Sequence, residues 1–177
     1  VIEIHKLFKK AKKGNDKAFE KLFEPYEADI YRIAYVYVKN ESDALDVLQE
    51  TACKAFEKIH GLKEPAYFKT WLIKIAINNA LNLLRGKQKI IYMSEVLPEK
   101  AIVNQNHIDQ KILLEQVMNV LTNEEKSVIL LKYYQDLPYT EVANILQIPL
   151  GTAKSICYRA LKKLRIRIEK EDMYESN

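Results

Sequence analysis

Lys74, Asn78, Asn82 and Arg85 follow one another at spacings of four, four and three, which on a helix makes a single polar stripe. Lys69, Thr70 and Trp71 stand just before it, near the start of the same run, FKTWLIKIAINNALNLLR. Every charge in that run is positive. Asparagine amides hydrogen-bond base edges, lysine and arginine attract phosphates, and a tryptophan offers a stacking plate. The combination suits unstacked, single-stranded nucleic acid better than a duplex alone. It also needs a reason, because asparagine is a mediocre helix former and Asn78, Asn79 and Asn82 all lie in one helical segment. For Trp71 taken by itself, packing in the core is the plainer reading.

A second set lies near the other end of the chain. In YTEVANILQIPLGTAKSICYRALKKLR a short helix over 139–146, a turn containing Pro149, Leu150 and Gly151, and a second amphipathic helix have helix-turn-helix anatomy. The spacing places Ala153, Ile156, Cys157, Ala160, Leu161 and Leu164 inward, and Thr152, Ser155, Tyr158, Arg159 and Lys162 on the outer face. Arginine and lysine there can pair with guanine, and hydroxyls can meet base edges or phosphates, in a major groove. No acid occurs between Glu141 and Glu169 to repel a phosphate backbone.

Acids gather instead at Asp43, Asp46 and Glu50, spaced by three and four on one predicted helix face. A one-turn acidic face without a second coordinating group reads as a protein-binding surface rather than a metal site. His5, His60 and His107 are scattered and no glycine-rich phosphate loop is present, so the chain is expected to be no enzyme and to use no cofactor or metal. The two cysteines, Cys53 and Cys157, fit neither a disulfide framework nor a zinc site and read as small buried hydrophobes.

The elements that must hold these residues are helical. Glycine and proline are scarce, at 4 and 5 of 177 residues, while apolar residues recur at helical spacing, so the expected fold class is all-α with two helical domains. A basic helix over 3–13 precedes a long helix over 16–38, with Phe19, Leu22, Phe23, Tyr26, Ile30, Ile33, Ala34 and Tyr37 inward. Asn40 or Ser42 caps a helix over 43–59 that buries Leu45, Leu48, Ala52, Phe56 and Ile59 and ends at Gly61. In the run from 68 to 85, Phe68, Leu72, Ile75, Ala76 and Leu83 lie on the inner side. Periodicity fades from Lys87, and Ile90, Ile91, Tyr92, Val96 and Leu97 make the connecting segment apolar enough to dock on something. Helical spacing resumes over 108–121, and Thr122 with Glu125 forms a capping box for a helix over 123–134. The last helix is expected to end near Ile168, with an acidic, fraying tail. The expected domains are 1–88 and 108–177, joined by a linker over 89–107. No apolar run approaches the roughly 18 to 20 residues of a membrane span, and a cytoplasmic protein is expected.

FEKLFEPYEADIYRIAYVYV, DALDVLQETACKAFEKI, FKTWLIKIAINNALNLLR and LTNEEKSVILLKYYQDLPYTEVANILQIPLGTAKSICYRAL, in that order, resemble a bacterial sigma factor of the extracytoplasmic-function (ECF) type, within the sigma-70 family. The resemblance implies that residues 1–88 are region 2, which binds core RNA polymerase and recognises and melts the −10 element, and that 108–177 are region 4, the −35 reader. It implies that Asp43, Asp46, Gln49 and Glu50 face the clamp helices of the polymerase β′ subunit. Asn78 matches the position that holds a flipped non-template base, with Lys69, Thr70, Lys74 and Asn82 as neighbouring contacts. Lys154, Ser155, Tyr158 and Arg159 match positions facing the −35 DNA. The linker resembles the segment threaded through polymerase, and the family implies further contact with the β flap and an inhibitory, membrane-linked anti-sigma factor that holds the protein near the membrane. Ile156 and Leu161 stand where many members carry arginine, and Gln147 where a turn glycine is frequent. The rival reading is a stand-alone helix-turn-helix repressor that dimerises through its first domain.

Overall fold

Asn15 shows how local chemistry sets the boundaries of this fold. Its side chain accepts a hydrogen bond from the Ala18 N–H at 2.8 Å, which satisfies one of the orphan donors at a helix start. The computed structural model describes residues 2–93 and 118–175, and all regular structure among them is helical. The chain divides into two units, Val1–Lys100 and Ala101–Asn177.

In the first unit, α1 (Ile2–Ala11), α2 (Asp16–Phe23), α3 (Glu27–Val38), α4 (Glu41–Lys58) and α5 (Phe68–Met93) form a bundle. The helix expected over 16–38 is two helices, because Pro25 has no N–H and imposes a 3-10 turn over Glu24–Tyr26. α3 ends where Lys39 adopts a left-handed conformation at φ 59°, and Asn40 then caps α4 by accepting the Asp43 N–H at 2.8 Å. α3 packs on both α4 and α5, which also pack on each other, while α1 lies on α2. Phe68, Leu72, Ile73, Ala76, Ile77 and Ala80 are the buried side of α5. Each large apolar side chain so buried stabilises the unit by about 1.5–3 kcal/mol. Phe68 also anchors the start of α5, with its ring 6.4 Å from Phe19, 5.8 Å from Tyr26 and 6.0 Å from Trp71.

Three expectations change here. α4 turns Ala44, Val47, Thr51 and Ala55 inward together with Asp43, while Leu45 is 48% exposed. Small side chains allow close approach to α3 and α5, and that geometry outranks the greater hydrophobicity of leucine. Ile75 and Leu83 on α5 are only partly covered, Ile73 and Ile77 taking the inner positions. α5 itself continues to Met93, beyond the point at Lys87 where periodicity fades. The remainder of the linker, Val96 and Leu97 included, lies outside the described residues.

In the second unit, the capping box at Thr122 forms as expected. Glu125 N–H donates to Thr122 Oγ1 at 3.3 Å and Thr122 N–H to Glu125 Oε2 at 2.9 Å. It starts α6 (Asn123–Ile129), which widens into a π-helical turn over Leu130–Tyr134. α7 (Tyr139–Leu146) and α8 (Leu150–Glu175) follow, and α8 packs on both α6 and α7. The turn lies at Gln147, Ile148 and Pro149; Leu150 and Gly151 already belong to α8, which runs to Glu175 rather than ending near Ile168.

Candidate nucleic-acid interface

α5 presents the stripe read from its spacing. Lys69, Asn78, Asn82 and Arg85 are exposed, and Thr70, Trp71 and Lys74 are half-buried. Trp71 therefore packs against Phe68 and remains partly accessible. Arg85 Nη1 donates to Asn82 Oδ1 at 3.4 Å, which keeps these two side chains on the same surface. Lys69 lies 3.9 Å from Asp29 on α3, a loose pair that leaves its ammonium accessible.

Asn79 behaves differently. It is 6% exposed and its amide bridges two helices, donating to Thr51 Oγ1 at 3.1 Å and accepting from Lys54 Nζ at 2.7 Å. One of the asparagines is thus part of the α4/α5 interface. The signal was in the sequence, since Asn79 falls three residues after Ala76 and seven after Leu72, on the buried stripe.

On α4, Asp46, Gln49 and Glu50 are exposed as expected. Asp43 is not on that surface. Its side chain is 12% exposed, takes a hydrogen bond from the Asn40 amide and pairs with Lys87 of α5. Burial alone would raise its pKa, but the bonds from Lys87 and Asn40 prevail and hold it below the ordinary carboxylate value. Leu45, expected inside, shares the outward side with Asp46 and Gln49. Between α4 and α5 opens a cleft of about 320 Å³ lined by Asp46, Glu50, Lys54, Asn79 and Asn82, among others.

α8 carries the second set. Thr152, Lys154, Ser155, Tyr158, Arg159 and Lys162 are all exposed, Tyr158 at 74%, and Ala153, Ile156, Cys157 and Ala160 on the opposite side are buried. Leu161, expected inward, is 39% exposed. Ile156 belongs to the core, so an arginine there would have to leave it. Ser155 Oγ donates to the Gly151 carbonyl at 2.9 Å, within its own helix. Tyr139 O–H donates to Cys157 Sγ at 3.3 Å and fastens α7 to α8. That bond, with burial, raises the tyrosine pKa and keeps its donor proton in place. Cys53, by contrast, is exposed on α4, against expectation. Gln147 occupies the turn in a left-handed conformation, φ 56° and ψ 43°, where a residue without a Cβ would be relaxed.

Among the described residues, no group of three His, Cys, Asp or Glu side chains could hold a metal ion, and no helix is long and apolar enough to cross a membrane.

Comparison with known proteins meets this geometry from another side. Residues 22–90 match the family model of Sigma-70 region 2, and residues 117–165 that of Sigma-70 region 4. The chain is 34% identical to RNA polymerase sigma factor SigV of Bacillus subtilis over 148 residues, covering 84% of this chain and 89% of that one. It is 32% identical to the ECF RNA polymerase sigma factor SigW of the same organism, covering 92% and 95%. In fold it is similar to the sigma factor RpoE complexed with the anti-sigma factor NepR from Bartonella quintana, at a TM-score of 0.74, 22% identity and coverage of 86% and 98%. It is likewise similar to CnrH complexed with the cytosolic domain of CnrY, at 0.70, 20% identity and coverage of 95% and 98%. Identity of that order to curated relatives, over most of both chains, decides the matter: the chain belongs to the ECF-type RNA polymerase sigma factors of the sigma-70 family.

Proposed function

We propose that this chain docks on core RNA polymerase through the outer side of α4, holds a melted −10 strand on α5 and reads the −35 element with α8. One observation carries the reading: an acid-free α5, whose exposed Asn78, Asn82 and Arg85 suit an unpaired strand, is packed on an α4 whose free side is acidic. On α4, Leu45 is the apolar anchor and Asp46, Gln49 and Glu50 are the polar rim, an anatomy suited to a basic partner helix. Asp43 is left out of that surface because Lys87 and Asn40 already occupy it.

On α5, Asn78 takes the flipped base, Trp71 supplies a stacking face, and Lys69, Thr70, Lys74, Asn82 and Arg85 hold the strand around it. Extruding a base costs a few kcal/mol. Stacking recovers about 1–3 kcal/mol per base, so a pocket and a few phosphate contacts offset the cost without ATP. On α8, Thr152, Lys154, Ser155, Tyr158, Arg159 and Lys162 face the duplex, and nothing in this scheme requires enzyme chemistry from the chain. The partners are core polymerase, through the β′ clamp helices and the β flap, promoter DNA and a membrane-linked anti-sigma factor; the site of action is the bacterial cytoplasm. The 1–88 and 108–177 domains act as the −10 and −35 modules. Family membership removes the footing of the stand-alone repressor.

Run-off transcription with core polymerase on a genomic promoter library tests the reading. Specific starts that appear only with this protein support it; tight duplex binding by the free chain with no added starts overturns it.

A further inference from the structure

Behind the exposed asparagines a chain of polar contacts runs from Glu50, on the acidic side of α4, into the interface between α4 and α5. Lys54 Nζ lies 2.9 Å from Glu50 Oε1 and 2.7 Å from Asn79 Oδ1. Asn79 Nδ2 donates to Thr51 Oγ1 at 3.1 Å, and that hydroxyl donates to the Val47 carbonyl at 2.6 Å. Asn79 and Thr51 are buried, whereas Lys54 lines the open cleft between α4 and α5. Asn79 thus uses both ends of its amide within the interface, directly beside exposed Asn78 in the same helix.

We propose that Lys54 and Asn79 are a positioning pair that couples docking at Glu50 to the presentation of Asn78 and Asn82. The inference rests on the function proposed above. Its physical basis is direction. The apolar contacts of Ile73, Ala76, Ile77 and Ala80 hold α5 close to its neighbours but resist rotation about its axis weakly, because dispersion has no preferred angle. Hydrogen bonds do have one, and a charge-assisted bond holds it more firmly. A rotation that displaces a binding group by about 1 Å can cost on the order of a hundredfold in rate. Lys54 also links the two ends: a cationic partner that engages Glu50 draws that carboxylate away and leaves Lys54 to Asn79.

The test uses holoenzyme assembled from core polymerase and the full chain, with Asn79→Leu, Lys54→Met, the double variant and Lys54→Arg. Core affinity comes from competition, open complexes from permanganate reactivity of −10 thymines at saturating holoenzyme, and folding from thermal unfolding. The expected result is a loss of open complexes of about tenfold in either single variant, no further loss in the double, and recovery to within about twofold in Lys54→Arg. Core affinity is not weakened, since Lys54→Met frees Glu50 for its partner, and unfolding temperature stays near wild type. Losses that multiply in the double variant, losses matched by weakened folding or core binding, or variants that open promoters like wild type each overturn the pair. Should Asn79→Leu fail to fold, Thr51→Val removes its inner partner and takes its place. A wild-type chain that opens no promoter would instead condemn the proposed function.

Discussion

Asp43 and Glu125 perform the same task in the two units with side chains one methylene apart. Each stands in the first turn of a helix and beside its cap, Asn40 or Thr122. Each also receives a lysine from the helix proposed to meet DNA, Lys87 of α5 or Lys163 of α8. The longer Glu125 reaches back to the backbone N–H of Thr122 and completes a reciprocal capping box. The shorter Asp43 takes the side-chain amide of Asn40 instead. Glu125 is consequently the more enclosed, its side chain 6% exposed against 12%. The pairing teaches that each helix proposed to face DNA is tied down at a buried acid, so its outward cations remain available for phosphates.

The comparison can be broken at its strongest point by Glu125→Ala. The change removes a cap acceptor and orphans Lys163, with an expected loss of about 2–3 kcal/mol. Hydrogen exchange should localise it to residues 118–175; an equal loosening of the first unit would contradict the separate closure of the two.

Asn78→Ala tests the outward side. Loss of an amide that reads a base edge costs about 1–3 kcal/mol, or roughly five- to a hundred-and-fifty-fold in open complexes. Permanganate footprints should fade while −35 binding holds, and equal loss of both would detach Asn78 from the melted strand.

Acid sharpens the parallel. Burial would raise both carboxylate pKa values, but the lysine and cap bonds prevail and both lie below the ordinary value in the folded chain. Their contribution to stability is therefore complete above the unfolded-state value of about 4 and is lost as pH falls through the folded one. The stability gap between wild type and Glu125→Gln, measured by denaturant unfolding, should stay constant near neutrality and narrow below about pH 4. A gap that widens in acid would show that the ion pair is not its source.

The smallest effect is a gain. Lys39 and Gln147 both end helices in left-handed conformations that strain a side chain. Lys39→Gly and Gln147→Gly should each stabilise by about 1 kcal/mol, read from denaturant midpoints.

Much of this was legible from spacing, and the departures have physical causes. Thr122 with Glu125, Asn40 and the helix over 139–146 announce themselves because caps and turns are decided by neighbours in sequence. The inward side of α4 was misjudged because hydropathy favours Leu45, whereas close helix packing selects Ala44, Val47 and Ala55. Asp43 resembled an exposed acid until Lys87, distant in sequence, came to meet it. The outer residues of α8 were readable since nothing but the helical period decides their side. Spacing alone sets Asn79 apart from the stripe of Asn78 and Asn82, whereas its partners, Thr51 and Lys54, sit on another helix and are invisible in the sequence.

The tie between Asp43 and Lys87 also has a place in biosynthesis. Its acid is made 44 residues before its lysine, and α5 is the last described helix of the first unit. A nascent chain therefore holds α1 to α4 without their fastening until the end of α5 clears the ribosome. From that moment the first unit has its closing contact while the second is still being translated, and it can fold first and alone.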